Sequence, residues 1–360
     1  MKTRYQVMAA ALTVLTAACS SDDQPNNSSR PETYNQVKVE MGTRAPLAMT
    51  TKSAIDMAEY NNWVGQQVAV WGLASDAAWT TTGACLFETR TKQYAVATVG
   101  EQAETVYPLV FDDNYYYPVD GKKPFDFLAY APTTGAAVLA DDVLTVDFTL
   151  TGAEDVIAAT ALGTDLNGVK GYSGAYFREA GATQPALTFK HYLSRLKFEV
   201  FAGNAETAQE ANAVSVTNIQ VNGVQTAATL TMTTSATNLA GTGAADGIFT
   251  LLDRDGVTLT PAVATIVKNE QNTQGTRIGE SLLMLPGQDT INMTVSLECN
   301  TAEGNVQRND LPASFTIPGG MAQGTQYRVK LVVYGLTRVD ATASIEPWTD
   351  GDEVDVPAFN

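Results

Sequence analysis

The chain has 360 residues, 44% of them apolar, and carries 39 acidic against 22 basic side chains for a formal net charge of −17. That apolar share excludes wholesale disorder, and the length predicts two domains. The acidity, with no Lys/Arg cluster to break it, excludes nucleic acid as a partner and suits a protein exposed to solvent.

Lys2 and Arg4 precede an apolar run from Val7 to Leu15. The run is too short to cross a bilayer core of about 30 Å, so residues 1–18 read as a cleaved export signal. Thr16-Ala17-Ala18 before Cys19 resembles a bacterial lipobox, which implies that Cys19 is acylated and becomes the new N-terminus. Ser20-Ser21-Asp22-Asp23 is similar to the acidic surface-export tag of Bacteroidetes lipoproteins. Outer-membrane attachment is then through lipid on Cys19, since no second apolar stretch has spanning length. Polar residues with Pro25 and Pro31 make 19–36 a lipidated tether.

Val37, Val39 and Met41 alternate with Lys38 and Glu40, which predicts a short amphipathic strand. Gly42-Thr43-Arg44-Ala45-Pro46 interrupts it, and the proline keeps this stretch extended and accessible. Ser53–Asn62 is the one helical candidate. Strands are predicted at Gln67–Gly72, Val106–Phe111, Pro124–Tyr130 and Leu144–Leu150. In Pro124–Tyr130, alternation points Phe125, Phe127 and Ala129 inward and Asp126, Leu128 and Tyr130 outward or half-inward. Gly171–Gln184, rich in Gly and Ala, reads as the linker between a first sandwich at 37–180 and a second at 181–360. The second series comprises Leu193–Val200, Ser215–Val221, Thr229–Met232, Ser281–Leu285, Thr290–Glu298 and Thr325–Tyr334. Closely spaced strands and 28 glycines together predict an all-β sandwich fold.

No residue set points to catalysis, a metal or a cofactor. His191 is the single histidine, so any Ser-His-Asp or Cys-His mechanism would have to run through it. No GxSxG elbow, P-loop or HExxH pair occurs in the chain. Asp112-Asp113 and Asp141-Asp142 are adjacent pairs whose side chains would point oppositely on a strand, which does not make a glycosidase site. Cys85 and Cys299 read as two buried free thiols, and two cysteines without a histidine cluster are no zinc site.

Several segments together resemble the Bacteroidales fimbrillin family of pilus subunits, which are surface lipoprotein precursors. They are Tyr115–Pro132 with its Phe-x-Phe-x-Ala-Tyr-x-Pro ending, Ala153–Ala158, Leu187–Val200, Gly324–Leu331 and Ala343–Trp348. The resemblance implies two transthyretin-like Greek-key β-sandwiches in tandem. It also implies an arginine-specific protease that cuts the exported precursor, here between Arg44 and Ala45, releasing the fold from Cys19. Cutting there would displace the strand carrying Val37, Val39 and Met41 and leave an apolar groove with unpaired backbone. In the tail, Val354 and Val356, with Phe359 as a third candidate, stand at alternating spacing that echoes Val37, Val39 and Met41, so residues 353–360 are the candidate donor strand for another copy's groove. Head-to-tail contacts of that kind grow filaments. The partners are then other copies or related fimbrial subunits at the cell surface, in a fimbrium supporting adhesion. Two other readings remain. Residues 353–360 could be the last strand of their own domain, since Pro357 removes a ladder donor. The protein could also be a non-polymerising surface lipoprotein, an anchor, tip or glycan binder, with Tyr115-Tyr116-Tyr117 and Trp79 as its stacking faces. Strand alternation would bury at least one of those tyrosines.

Overall fold

The computed structural model describes residues 37–44, 63–79, 84–88, 93–102, 106–118, 121–209, 213–301 and 304–346. The predicted helix at Ser53–Asn62 lies outside them. Twenty-one strands and one 3-10 turn at Tyr176–Arg178 make up the described fold, which is all-β.

The chain opens with β1 (Gly42–Arg44), β2 (Gln67–Ala74), β3 (Ala95–Val99), β4 (Tyr107–Phe111) and β5 (Phe125–Ala131). A hairpin follows, β6 (Ala136–Ala140) and β7 (Val143–Thr149), then β8 (Ile157–Ala161), β9 (Ala186–Thr188) and β10 (Lys190–His191). Eight of these form one sheet in the order β10-β8-β5-β2-β3-β4-β1-β9. Strands β9 and β10 are separated only by Phe189 yet pair with opposite ends of the sheet, so its first and last strands meet. Both faces of β5 are covered: Phe127 packs against Phe87 and Tyr172, and Tyr130, on the other face, against Phe148 of β7. All seven residues of β5 are buried, including Asp126, Leu128 and Tyr130, which alternation alone had placed outward or half-inward. Asp126 is accommodated by accepting a hydrogen bond from the Gly163 N–H at 2.8 Å, while burial raises its pKa.

The second half adds β11 (Ser194–Ala202), β12 (Val214–Val224), β13 (Ala227–Met232), β14 (Thr237–Thr242), β15 (Gly247–Thr250) and β16 (Ala262–Val263). It ends with β17 (Thr276–Met284), β18 (Thr290–Thr301), β19 (Gly304–Thr316), β20 (Gln326–Tyr334) and β21 (Arg338–Glu346). One sheet runs β17-β11-β20-β21 and another β15-β12-β18-β19, with β16 also on β12. The fourth sheet, β14-β13-β7-β6, draws strands from both halves. A boundary at 180/181 therefore cuts across a hydrogen-bonded sheet, and β9 and β10, past that boundary, complete the first one.

The predicted linker Gly171–Gln184 is partly buried structure. Tyr172 and Tyr176 are buried. Phe177 stacks on Tyr172 and packs 5.1 Å from Tyr117, so this stretch caps the first sheet with aromatic rings. Small residues let the backbone approach closely here: a Cβ on Gly171 would sit 2.3 Å from the Thr164 carbonyl oxygen. A composition rich in Gly and Ala served close packing rather than flexibility. Asp141 and Asp142 likewise sit on no strand; both have positive φ and form the β6–β7 turn, where Asp142 accepts the Trp79 N–H at 2.6 Å.

Candidate functional site

The segment Val37–Arg44 is the leading end of the described fold: an extended stretch, bridged at Lys38 to Tyr116, that runs into β1, which is interior to its sheet. Val39, Met41 and Thr43 are buried, whereas Lys38 and Glu40 face solvent and Val37 is half-buried. This is the two-residue period of a half-buried strand. Along one side the segment runs antiparallel to Tyr115–Tyr117 and β4. Val39 N–H donates to the Tyr115 carbonyl at 2.8 Å, Tyr117 N–H to Val37 at 2.9 Å, and Leu109 N–H to Met41 at 3.0 Å. Along the other side it runs parallel to β9, with Gly42, Thr43 and Arg44 opposite Ala186, Leu187 and Thr188. Gly42 N–H donates to Pro185 at 3.0 Å, and Thr43 Oγ1 donates to the Leu187 carbonyl at 2.8 Å.

The sequence placed an interruption at Gly42–Arg44, yet the most regular pairing of the segment lies there, as β1. Gly42 works because its backbone passes very close to β4's neighbour: a Cβ would lie 2.3 Å from Val106 Cγ1. Arg44 closes the strand and pairs on the β9 side only. Its side chain, and Ala45, lie outside the described residues, as do Cys19, Val354, Val356 and Phe359.

The partner edge does not follow the segment throughout. A bend at Asp112-Asp113 separates β4 from Tyr115, and a cavity of about 510 Å³ lies beside Glu40 and Met41, walled by Val106, Pro108 and Phe111. Behind it, Phe87 packs edge-on to Tyr115 at 4.9 Å and lies 5.5 Å from Phe111. The Tyr115 hydroxyl donates to Asp112 Oδ1 at 3.0 Å. Burial, then that hydrogen bond and the charge of Asp112, push its pKa up to about 12. The segment is thus hydrogen-bonded along one edge from Val37 to Met41 and along both edges at Gly42–Thr43.

The other singled-out residues take structural places. His191 is buried on β10 with Nδ1 2.8 Å from Asp155 Oδ1. Cys85 and Cys299 are buried free thiols. Of the proposed stacking faces, Tyr117 and Trp79 are buried and Tyr115 is half-buried, leaving Tyr116 exposed. Among the described residues no cluster of three metal-ligating side chains occurs, and no helix is long and apolar enough to cross a membrane. Sequence reasoning missed β9 as the second neighbour of the segment. The alternating Leu187-Thr188-Phe189 was visible but was joined to the following strand series.

An all-β chain whose leading strand is inserted between two strands of its own sheet is thereby defined. The chain belongs to the fimbrillin-like family, whose profile matches residues 54–348. This matched span takes in every strand from β2 to β21 and begins beyond Arg44. The family is one of structural rather than catalytic proteins, and the resemblance read from the sequence holds. The fold is similar to that of a proposed cell adhesion protein from Bacteroides uniformis, at 18% identity and a TM-score of 0.52, covering 89% of this chain and 100% of that one. It is also similar to a fimbrial protein from Bacteroides vulgatus, at 10% identity and a TM-score of 0.50, covering 87% and 99%. Among curated proteins, none matches.

Proposed function

We propose that this chain is a structural subunit of a cell-surface fimbria that polymerises by exchanging the strand Val37–Arg44 for a strand of another copy. The observation that carries this reading is the insertion of β1 between β4 and β9 at Gly42–Thr43, with Val37–Met41 continuing it along Tyr115–Tyr117 and Leu109 on one side. Cutting after Arg44 would free the segment from everything downstream without severing any other strand. Its departure would open a slot two strand spacings wide, about 9–10 Å. The slot would expose backbone on both sides and the apolar places of Val39 and Met41. Burying a Val and a Met contributes roughly 1.5–3 kcal/mol each before ordering costs, so an open groove favours refilling.

The maturation pathway follows from the same reading. Residues 1–18 direct export, Cys19 carries lipid to the outer membrane, and 19–36 tether the fold until an arginine-specific protease cuts between Arg44 and Ala45. The donor is the segment 353–360. Entering in the direction of the resident strand, Val354, Val356 and Ala358 repeat the spacing of Val39, Met41 and Thr43. Phe359 then falls on the opposite face. The sheets on either side of β7–β13 are read as two transthyretin-like sandwiches that share a sheet at their junction.

The deciding experiment compares processed wild type, Arg44→Ala and a chain lacking 353–360 by N-terminal mass analysis and electron microscopy. Filaments are expected from wild type alone, with a mature N-terminus at Ala45. Filaments from the truncated chain would remove the donor role from 353–360. Wild-type filaments whose subunits still begin at Cys19 would overturn the exchange itself.

A further inference from the structure

The outer edge of β17, far in the sequence from the groove, is capped at two points. The Leu252 carbonyl accepts the Glu280 N–H, and the Gly152 carbonyl accepts the Leu283 N–H, each at 2.8 Å. Between these caps lies a cavity of about 460 Å³ walled by Leu150, Ile248, Leu252 and Leu282. Its loops are pinned. Thr151 donates through N–H and Oγ1 to the Glu154 carboxylate at 2.6 and 2.8 Å. Asp253 Oδ2 accepts from the N–H and hydroxyl of Thr260 at 2.6 and 2.5 Å. Gly152, at φ +94°, holds the loop so close that a Cβ would meet Leu282 and Phe249 at 3.0 Å. The cavity is therefore preformed and of ligand-binding size.

Two acidic residues, Glu280 and Asp253, also line this space, and Asp253 is the one held by Thr260. Glu280 is only 8% exposed, and its ion partner, the Arg277 guanidinium, stands 3.6 Å away with 40% of its side chain in solvent. The nearby surface is apolar as well: Ile248, which lines the cavity, is 55% exposed, and Val257, next to the lining Gly256, is 79% exposed. We propose that this cavity is a docking pocket for a lysine side chain presented by an extended segment of a partner polypeptide. The ammonium would displace Arg277 at Glu280, and the alkyl stem would lie against Leu252 and Leu282. Lysine fits better than arginine because, with Asp253 accepting from Thr260, Glu280 is left as a single carboxylate in a largely apolar space, a point-charge partner rather than a planar fork. The exposed Ile248 and Val257 nearby give the residues flanking that lysine an apolar surface, which a free amine would not use. The net charge of −17 also steers a cationic segment toward the chain.

Methyl NMR of the full chain, titrated with acetyl-Val-Lys-Val-amide, tests this. Saturable shifts are expected at the Ile248, Leu252 and Leu282 methyls. The same peptide with norleucine for lysine should bind at least about tenfold more weakly, as loss of a charge-assisted contact requires. Glu280→Gln should abolish the preference for lysine, and Arg277→Ala should strengthen binding of the lysine peptide. Ile248→Ser, at an exposed position that leaves the fold intact, should weaken both peptides. Equal binding of the two peptides to wild type would overturn the assignment of a cation. Cadaverine binding as tightly as the peptide would overturn the polypeptide partner. No shifts at millimolar peptide would overturn the pocket.

Discussion

Two strands of this protein sit inside a sheet with a parallel neighbour on one side and an antiparallel neighbour on the other, and their difference lies in how much each one holds. Strand β11 pairs with β20 over eight residues, from Arg195 to Ala202, and with β17 along its other edge. All of its residues but Glu199 are buried. Strand β1 pairs with β9 over three residues and with β4 over two, and its extension to Val37 adds a few bonds around a bend. Retention scales with the paired length and the apolar area that leave water together, and by both measures β11 is held more strongly than Val37–Arg44, as the proposed exchange requires.

The largest expected effect tests the more strongly held strand. Phe198→Ala removes a fully buried ring from the centre of β11 and should cost about 3–5 kcal/mol of global stability by chemical denaturation. Met41→Ala truncates a comparably buried residue, yet should lower the global transition by only about 2 kcal/mol, the low end for such a change. The proposed exchange requires the segment to leave before the rest unfolds. Hydrogen exchange reads this directly: the Val39 and Gly42 amides should exchange faster in Met41→Ala while the β11 amides do not change. Equal acceleration in both strands would mean that they form one cooperative unit.

The distinction was partly legible in the sequence. Alternation at Val37, Val39 and Met41 identified the buried face of the segment, and the long apolar alternation at Tyr327–Val333 identified β20. What alternation could not supply was the partner of β1 across the chain. The contact with Ala186–Thr188 spans more than a hundred residues and rests on a parallel register that no local pattern encodes. It also failed at β5, where Phe87 and Tyr172 cover one face and Phe148 of β7 the other, so the period of two carries no inside or outside. Gly171–Gln184 misled because small residues serve flexible linkers and tight packing alike; only the rings of Tyr172, Tyr176 and Phe177 hinted at the latter.

A smaller effect sharpens the comparison at a single atom. Gly42→Ala places a methyl group into Val106 Cγ1, an atom at the end of a side chain that can rotate. A cost of about 1 kcal/mol is expected, at the low end for overpacking. It should fall on the segment alone, seen as faster exchange at Val39 and faster proteolysis after Arg44, with an unchanged global transition. A lowered global transition would show that β1 is as integral to its sheet as β11 is to its own.

The smallest effect is one that should be silent at neutral pH, and it reports on the first sheet behind the groove. Cys85 lies against β2, bridged to Leu73, with Ala74 N–H bonded to the Ala84 carbonyl at 2.8 Å. Burial, then the charge of Glu88, raise its thiol pKa to about 11, with Lys123 opposing. The thiolate is the nucleophile, so at pH 9 alkylation of folded Cys85 should be far slower than in urea, and the rates should converge only as pH approaches 11. The stability linked to this group follows the same sign. The folded state holds the proton more tightly, so its contribution is complete below the ordinary thiol pKa of 9.0 and is lost as pH rises through about 11. Repeating the measurement in Met41→Ala separates two kinds of opening. If Val37–Arg44 leaves alone, Cys85 alkylates at the wild-type rate. If the first sheet loosens with it, alkylation accelerates in step with Val39 exchange, and the segment is part of that sheet's core rather than a removable strand.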